Sequence, residues 1–171
     1  VCEIRRDGYK IEDLQGHPVT LEVKQVDWDD AAAETAGFPH FMLKEINQQP
    51  DVIRNTLRGR VSEGSEEVQL KDMNIGLDEL KACKQIHIVA CGTAWHAGMV
   101  GKYLIEKFTR VPVELDIASE YRYRDPIIPE NTIMIPVSQS GETADTLEAI
   151  RIAKSKGAKV ASTVNAVGSV S

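Results

Sequence analysis

Apolar runs of strand length alternate with segments of helical periodicity through the second half of the chain. Strand-like runs occupy residues 85–90, 111–115, 132–137 and 159–164, and helical segments occupy residues 95–108 and 142–156. Strands joined by crossover helices form right-handed βαβ units, whose strands pair in parallel. The pattern therefore predicts an α/β fold: a doubly wound, flavodoxin-like parallel sheet with helices on both faces.

The first 26 residues show a different pattern, in which short strand-like runs alternate with turns. The runs cover residues 1–4, 9–11 and 19–23. This alternation predicts antiparallel β-hairpins, and two or three such strands are too small to be stable without a sheet to join. We expect them to be the last strands of a preceding α+β domain, and the chain to be a piece of a longer protein.

Between these two parts the hydrophobic residues follow a helical period. Met42, Ile46, Ile53 and Leu57 recur at helical multiples. Pro50 interrupts the segment, and because proline has no N–H to donate, we expect two short helices that meet at Gln49-Pro50. Residues 58–76 are polar and irregular, and residues 77–81 predict one helical turn before the next strand.

A hydroxyl-rich stretch, Ser138-Gln139-Ser140-Gly141-Glu142-Thr143, stands where the apolar run 132–137 meets the helical segment that follows it. The first N–H groups of a helix have no intrahelical acceptor, and the helix dipole places partial positive charge there, which suits a bound anion. Ser and Thr are also ordinary helix caps, so plain capping remains an alternative at this point.

Two other loops are predicted at the same edge of the sheet. Cys91-Gly92-Thr93-Ala94 follows the first predicted strand, and residues 165–169 follow the fourth. Ligands of open α/β sheets bind at the carboxyl ends of the strands. The chain contains neither GxxxxGK[ST] nor GxGxxG, and the loops at 91–94 and 138–143 contain no Lys or Arg. The pattern therefore favours one phosphate, as in a sugar monophosphate, over a nucleotide.

Composition narrows the class of protein further. The 171 residues include 26 acidic and 20 basic side chains, for a formal net charge of -6, which argues against a general nucleic-acid binder. Three cysteines without a CxxC spacing, and four histidines without a ligand pattern, predict neither a disulfide framework nor a metal site. No apolar run approaches the roughly 20 residues of a membrane span and the start is unlike a signal peptide, so we expect a cytoplasmic protein.

Candidate catalytic side chains are few, and each has a structural alternative. Cys91 could act as a nucleophile, but a free cysteine is commonly a small buried residue and no base is identifiable. His96 could be a general base or a structural helix residue, and Glu142 could be an acid or base or could favour the helix dipole. The cluster Arg122-Tyr123-Arg124 could bind an anion, although ion pairing is the stronger interpretation.

Residues 138–146 resemble the signature of the sugar isomerase (SIS) family, and within it the glutamine:fructose-6-phosphate aminotransferases. The similarity extends to residues 90–98, 118–124 and 40–46 and to Gln49-Pro50. The resemblance implies a two-part enzyme. An N-terminal glutaminase domain frees ammonia from glutamine, and a C-terminal isomerase domain uses it to convert fructose-6-phosphate to glucosamine-6-phosphate in hexosamine biosynthesis. It also implies a homodimeric parent enzyme, with no cofactor.

The resemblance also assigns roles to individual residues. Carried over position by position, it implies that Ser138, Gln139, Ser140 and Thr143 hold the phosphate, and that the sugar site is lined by Cys91, Gly92 and Thr93. Ala94 stands where the family often has serine, so one hydroxyl donor is missing. The family's residues that open the sugar ring and move protons are expected outside this chain or on a neighbouring subunit. We therefore expect no catalytic residue here and an inactive fragment.

The expected domain organisation has three parts. Residues 1–26 would be the C-terminal strands of a truncated glutaminase domain, and residues 38–171 the N-terminal part of a truncated first SIS domain. Residues 27–37, which are acidic and alanine-rich, would be the linker, although a short surface helix also suits this composition. A non-catalytic SIS module that binds a sugar phosphate for regulation is the alternative function.

Overall fold

The computed structural model of the chain describes residues 1–20, 35–62, 64, 68–70 and 73–166. Its contacts divide the chain into two units, residues 1–68 and residues 69–171. Most of the predicted linker, residues 27–34, lies outside the described residues. The domain boundaries expected from the sequence therefore stay a prediction.

The first unit begins with the predicted hairpin. Strands β1 (Cys2–Arg5) and β2 (Gly8–Ile11) pair antiparallel, with Cys2 opposite Ile11. The chain then turns back, and the Val19 N–H donates to the Ile11 carbonyl at 2.9 Å. The hairpin is confirmed. Part of the third predicted run, residues 21–23, lies outside the described residues.

Helix α1 (Phe41–Leu57) is one continuous helix with Pro50 inside it. The predicted break into two short helices at Gln49-Pro50 is therefore wrong. Proline removes the hydrogen bond that its own N–H would make to the carbonyl four residues earlier, and its ring crowds that carbonyl, but the hydrogen bonds of the other residues can still continue the helix. Side chains add contacts on both sides of it: Asn47 Nδ2 donates to the Leu43 carbonyl at 2.8 Å, and Arg54 pairs with Asp51 at 2.7 Å.

The second unit contains the predicted alternation of strands and helices. Its elements are α2 (Leu77–Ala82), β3 (Gln85–Ala90), α3 (Gly92–Thr109), β4 (Val113–Ile117), α4 (Ala118–Tyr121), β5 (Thr132–Ser138), α5 (Ala144–Ser155), β6 (Lys159–Val160) and β7 (Thr163–Val164). Short helix α4 was not predicted, because its sequence is polar. The last predicted strand is two short strands, both paired with β5.

All described strand pairs in this unit are parallel, and the strand order is β4-β3-β5-β6, with β7 also on β5. The predicted parallel α/β sheet is confirmed. Strand β3 lies in the middle and is buried on both faces, since both Ile88 and its neighbour Val89 are at most 2% exposed. Burial on both faces explains why this strand is a nearly continuous apolar run.

The two faces of β3 meet different helices. A hydrophobic cluster joins Val89 and Met134 of the sheet to residues of α4, α5 and the following turn, namely Ala118, Tyr121, Ala149, Ile150, Ala153 and Ala158. On the other face α3 packs so closely that a Cβ added at Gly98 would lie 2.9 Å from Ile88 Cγ2 and 3.0 Å from Leu115 Cδ1. Helices therefore cover both faces, as the sequence predicted.

A cluster of polar side chains, with a buried histidine among them, lies on the α4 side of the sheet. His87 is 1% exposed, and its Nδ1 lies 3.0 Å from the hydroxyl of the fully buried Tyr121. Arg124 forms ion pairs with Glu114 and Asp116, and Arg122 pairs with Asp145 at 2.7 Å. The expected ion-pairing role of the 122–124 cluster is confirmed.

The burial of His87 makes the stability of this unit depend on pH. Desolvation, and then the charge of Arg124, lower the pKa of His87 below its ordinary value. The unfolded imidazole takes up a proton as the pH falls through about 6.5, while the folded one does not, so stability is present above this pH and lost below it. We expect the free energy of unfolding to fall by up to about 1.4 kcal/mol per pH unit from this group.

Urea unfolding of the wild type and of His87→Gln between pH 7 and pH 5 measures this contribution. Glutamine keeps a polar side chain but cannot titrate, and the carboxylates common to both proteins cancel in the difference. Parallel pH profiles for the two proteins would contradict the assignment.

The described residues contain neither a membrane-spanning helix nor a cluster of metal ligands. In the described part of the chain, no helix has the length and apolar character needed to span a membrane. Nor do the described residues contain a group of three or more His, Cys, Asp or Glu side chains that could hold a metal ion.

Candidate anion-binding site

The loops after β3 and β5 begin side by side. The two strands are adjacent and parallel, and their last paired residues are Ala90 and Val137. Within the sheet, β4 and β5 are the two neighbours of β3, one on each of its edges. The chain passes from β3 to β4 and only later to β5. The strand order therefore reverses between β3 and β5, and this switch point is where open α/β sheets bind ligands.

Two serine hydroxyl groups shape the loop between β5 and α5. Ser138 Oγ accepts the Gly141 N–H at 3.0 Å, and Ser140 Oγ accepts the Glu142 N–H at 3.2 Å. Gly141 has φ +71° in this turn, which a side chain would strain. Since each serine oxygen accepts a backbone N–H, its own hydroxyl proton remains available to donate to a ligand.

The N-terminus of α5 follows directly. Thr143 is the N-cap residue, but its side chain makes no capping hydrogen bond. The first helical backbone bond runs from the Leu147 N–H to the Thr143 carbonyl at 2.9 Å. The N–H groups of residues 144–146 precede that bond and are the ones a helix of this geometry leaves for other acceptors. The capping alternative considered from the sequence is therefore not realised by the Thr143 side chain.

The loop after β3 opens helix α3 in a similar way. Cys91 is its N-cap residue, again without a side-chain capping bond, and Gly92 has φ +58°. Together the two loops line an open pocket of about 210 Å³. The pocket is lined by Cys91, Thr93, Ala94, Val137, Ser138, Gln139, Ser140, Thr143 and Thr146.

Six of the seven residues predicted for the site line this pocket. Gly92 does not line it, and its positive φ instead turns the chain from β3 into α3. Ala94, where the sequence departs from the family, lies in the lining. Sequence reasoning missed Val137 and Thr146. Thr146 lies three residues after Thr143, and this helical spacing, which places both on one face, is the signal that could have found it.

The lining contains no Lys, Arg, Asp, Glu or His side chain among the residues that the structure describes. The nearest acidic residue in the first turn of α5 is Asp145, and Arg122 pairs with it. The hydrogen bond to Asp145 is the main cause of the raised pKa of Arg122. Attraction for an anion in this pocket therefore comes from helix N-termini and hydroxyl donors.

The other candidates from the sequence have different surroundings. Cys91 lines the pocket as a free thiol. His96 is exposed, and its Nδ1 lies 3.1 Å from the Gly92 carbonyl of the same helix, which is a structural contact. Glu142 is exposed.

The third candidate loop contacts the site through the Ala166 N–H, which donates to the Gln139 carbonyl at 3.1 Å. Residues 167–169 of this loop lie outside the described residues.

Comparison with known proteins agrees with this geometry. The family model of the SIS domain matches residues 79–170, which is more than half of the chain. The chain belongs to the SIS domain family. The sheet, both loops and the pocket of this SIS domain all lie within the matched residues.

The curated relatives extend the similarity to the rest of the chain. The chain is 53% identical over 163 residues to the glutamine–fructose-6-phosphate aminotransferase [isomerizing] of Clostridium acetobutylicum, covering 95% of this chain and 27% of that protein. It is 50% identical over 169 residues to the enzyme of the same name from Thermus thermophilus, covering 99% of this chain and 27% of the relative. The chain thus spans about a quarter of the length of these relatives.

A solved structure supports the same relationship. The C-terminal domain of glucosamine-fructose-6-phosphate aminotransferase from Francisella tularensis is 41% identical, with a TM-score of 0.69. The match covers 80% of this chain and 38% of that one. The resemblance stated from the sequence motifs is therefore confirmed for the family and the fold.

Proposed function

We propose that this chain supplies the sugar-phosphate-binding loops of an enzyme that uses glutamine-derived ammonia to convert fructose-6-phosphate to glucosamine-6-phosphate. The observation that carries the proposal is the pocket at the β3/β5 switch point, where the predicted loops 91–94 and 138–143 meet. The identity of about half to named aminotransferases over 95% of the chain supports the choice of reaction.

The pocket supports a phosphate monoester as the ligand. Hydroxyl groups of Ser138, Ser140 and Thr143, and the N–H groups at the start of α5, would hold the phosphate, with the Gln139 side chain at the rim. Cys91 and Thr93 would line the sugar, and Gly92 would set the turn that brings them there. A polyphosphate would bring more negative charge than these neutral donors compensate.

The described lining supports binding without proton transfer. Its nine side chains include no Asp, Glu, His or Lys that could act as a general acid or base. The ring-opening and proton-transfer groups therefore belong, in this proposal, to other parts of the enzyme, so the chain alone is inactive. The homodimer and cytoplasmic location follow from the resemblance and the sequence, and belong to the same proposal.

A non-catalytic SIS module is the second candidate, and the lack of acid or base groups in the described lining favours it. The curated matches favour the enzyme, because they cover 95–99% of the chain and therefore extend into the first unit, which contains the hairpin and α1. The family model of the SIS domain alone begins at residue 79.

Calorimetric titration with fructose-6-phosphate tests the proposal. We expect the wild-type chain to bind, and Ser140→Ala and Thr143→Ala each to weaken binding by about tenfold or more, since a hydrogen bond to a charged group contributes roughly 1.5–3 kcal/mol. Fructose without the phosphate should bind far more weakly. Equal affinities for fructose and its phosphate would count against a phosphate site.

A further inference from the structure

Thr146 is the feature of the pocket that the proposed function leaves unexplained. It is the third residue of α5, is only 2% exposed, and lines the pocket. Its Oγ1 is buried and has no hydrogen-bond partner in the described part of the chain. A buried hydroxyl without a partner loses its hydration and gains nothing in exchange, which is an unfavourable arrangement.

Two exposed threonines of this chain show the hydrogen bond that a helical threonine can make within its own helix. Thr56 Oγ1 donates to the Val52 carbonyl at 2.9 Å, and Thr109 Oγ1 donates to the Ile105 carbonyl at 2.8 Å, in each case four residues earlier in the same helix. Thr146 lies in the first turn of α5 and makes no such bond. Its hydroxyl is therefore left for a partner from outside the helix.

Two other described buried polar atoms are without a partner, and neither lies in this pocket. They are His87 Nε2, which is 3.6 Å from a Glu114 carboxylate oxygen, and Trp95 Nε1. Thr146 is thus the one described case in which an unpartnered buried hydroxyl coincides with a helix N-terminus and a pocket lined by hydroxyl groups.

We propose that the Thr146 hydroxyl, in the first turn of α5 directly after the Ser138–Thr143 loop, is a further donor to the bound phosphate. The inference rests on the proposed function and adds a residue to that site. Threonine in a helix has two accessible χ1 rotamers, and rotation between them moves Oγ1 to a different staggered position about the Cα–Cβ bond. Such a rotation lets the hydroxyl face the ligand without moving α5.

A threonine that binds the phosphate and a threonine that only packs in the helix should respond differently to substitution. Thr146→Val replaces the hydroxyl by a methyl of similar size, so the ligand-free protein should melt at the same temperature as the wild type or slightly higher. Its affinity for both inorganic phosphate and fructose-6-phosphate should fall by about ten- to a hundredfold, the range of hydrogen bonds to charged groups. Thr146→Ser, which keeps the hydroxyl, should bind within a few-fold of wild type.

Calorimetric titration of the wild type, both Thr146 variants and Thr109→Val tests the prediction, with thermal melting of each protein without ligand. Thr109→Val removes a hydroxyl that bonds within its own helix, so its affinities should match wild type. Wild-type affinity in a folded Thr146→Val protein would overturn the inference. If Thr146→Val is both less stable and weaker in binding, recovery of affinity in Thr146→Ser supports the inference, and equally weak binding there overturns it.

The two ligands separate this inference from the proposed function. If the wild type binds phosphate but not fructose-6-phosphate, the proposed function fails, and the Thr146 variants still decide the inference with phosphate. If the wild type binds both and Thr146→Val is unchanged, only the inference fails. If the wild type binds neither, both fail.

Discussion

Ser140→Asp should weaken the binding of fructose-6-phosphate by about a thousandfold. In the proposed site an anion meets only neutral donors, and the described pocket lining has no basic side chain to offset an added carboxylate. Two like charges about 4 Å apart near a protein surface repel by roughly 4 kcal/mol, which corresponds to three orders of magnitude in affinity. Calorimetric titration of the variant measures the loss.

Ser140→Asn is the matched control for this variant. Ser140 Oγ accepts the Glu142 N–H, and both Asp and Asn offer an oxygen at a similar position, so either preserves the turn. Asparagine has nearly the same shape as aspartate without its charge, and should bind within about tenfold of wild type. Similar affinities in the Asp and Asn variants, both folded, would show that no anion lies beside residue 140.

Gly98→Val should destabilise the second unit by about 3 kcal/mol. A Cβ at this position would lie 2.9 Å from Ile88 Cγ2 and 3.0 Å from Leu115 Cδ1, before any γ-methyl is added. Overpacking of this kind typically destabilises a protein by about 1–3 kcal/mol or more. Valine has a better helix propensity than glycine, but this offsets only a few tenths of a kcal/mol, roughly. The midpoint of urea unfolding, read at constant slope, gives the change in stability.

Gly101 provides the control within the same helix. A Cβ there would lie 3.8 Å from Ile88 Cδ1, which is ordinary contact, so Gly101→Ala should gain up to about 1 kcal/mol of stability from helix propensity. An unfolding midpoint of Gly98→Val equal to that of wild type would contradict the close seating of α3 on β3 and β4. That seating also fixes the start of α3, where Cys91 and Thr93 enter the pocket.

Much of the fold could be predicted because local patterns determine it. The apolar run 85–90 is a strand in the structure with the same bounds, and the crossover-length helices correctly predicted parallel pairing. The predicted break of α1 at Pro50 was wrong. The local sequence shows that proline destabilises a helix, but it does not show whether the rest of the helix is stable enough to continue through it. Helix α4 was missed because Tyr121 is buried by tertiary packing among polar neighbours.

Most residues of the candidate pocket could also be predicted from the sequence, but their arrangement could not. The loop residues could be identified from the sequence, since hydroxyl-rich stretches followed two predicted strands. Their meeting in one pocket depends on the order β4-β3-β5-β6, which no local pattern determines. Thr146 was missed because its significance lies in an unpartnered hydroxyl, and this becomes visible only when all neighbours are placed.

The most direct test of a phosphate site at the β3/β5 switch point is a two-dimensional NMR titration of the wild-type chain with fructose-6-phosphate. We expect the largest amide shifts at residues 144–146, which precede the first backbone bond of α5, and in the loops 91–94 and 138–143. Unphosphorylated fructose at the same concentrations should leave these signals in place. Shifts that concentrate elsewhere in the chain, or that fructose reproduces, would contradict a phosphate site at the β3/β5 switch point.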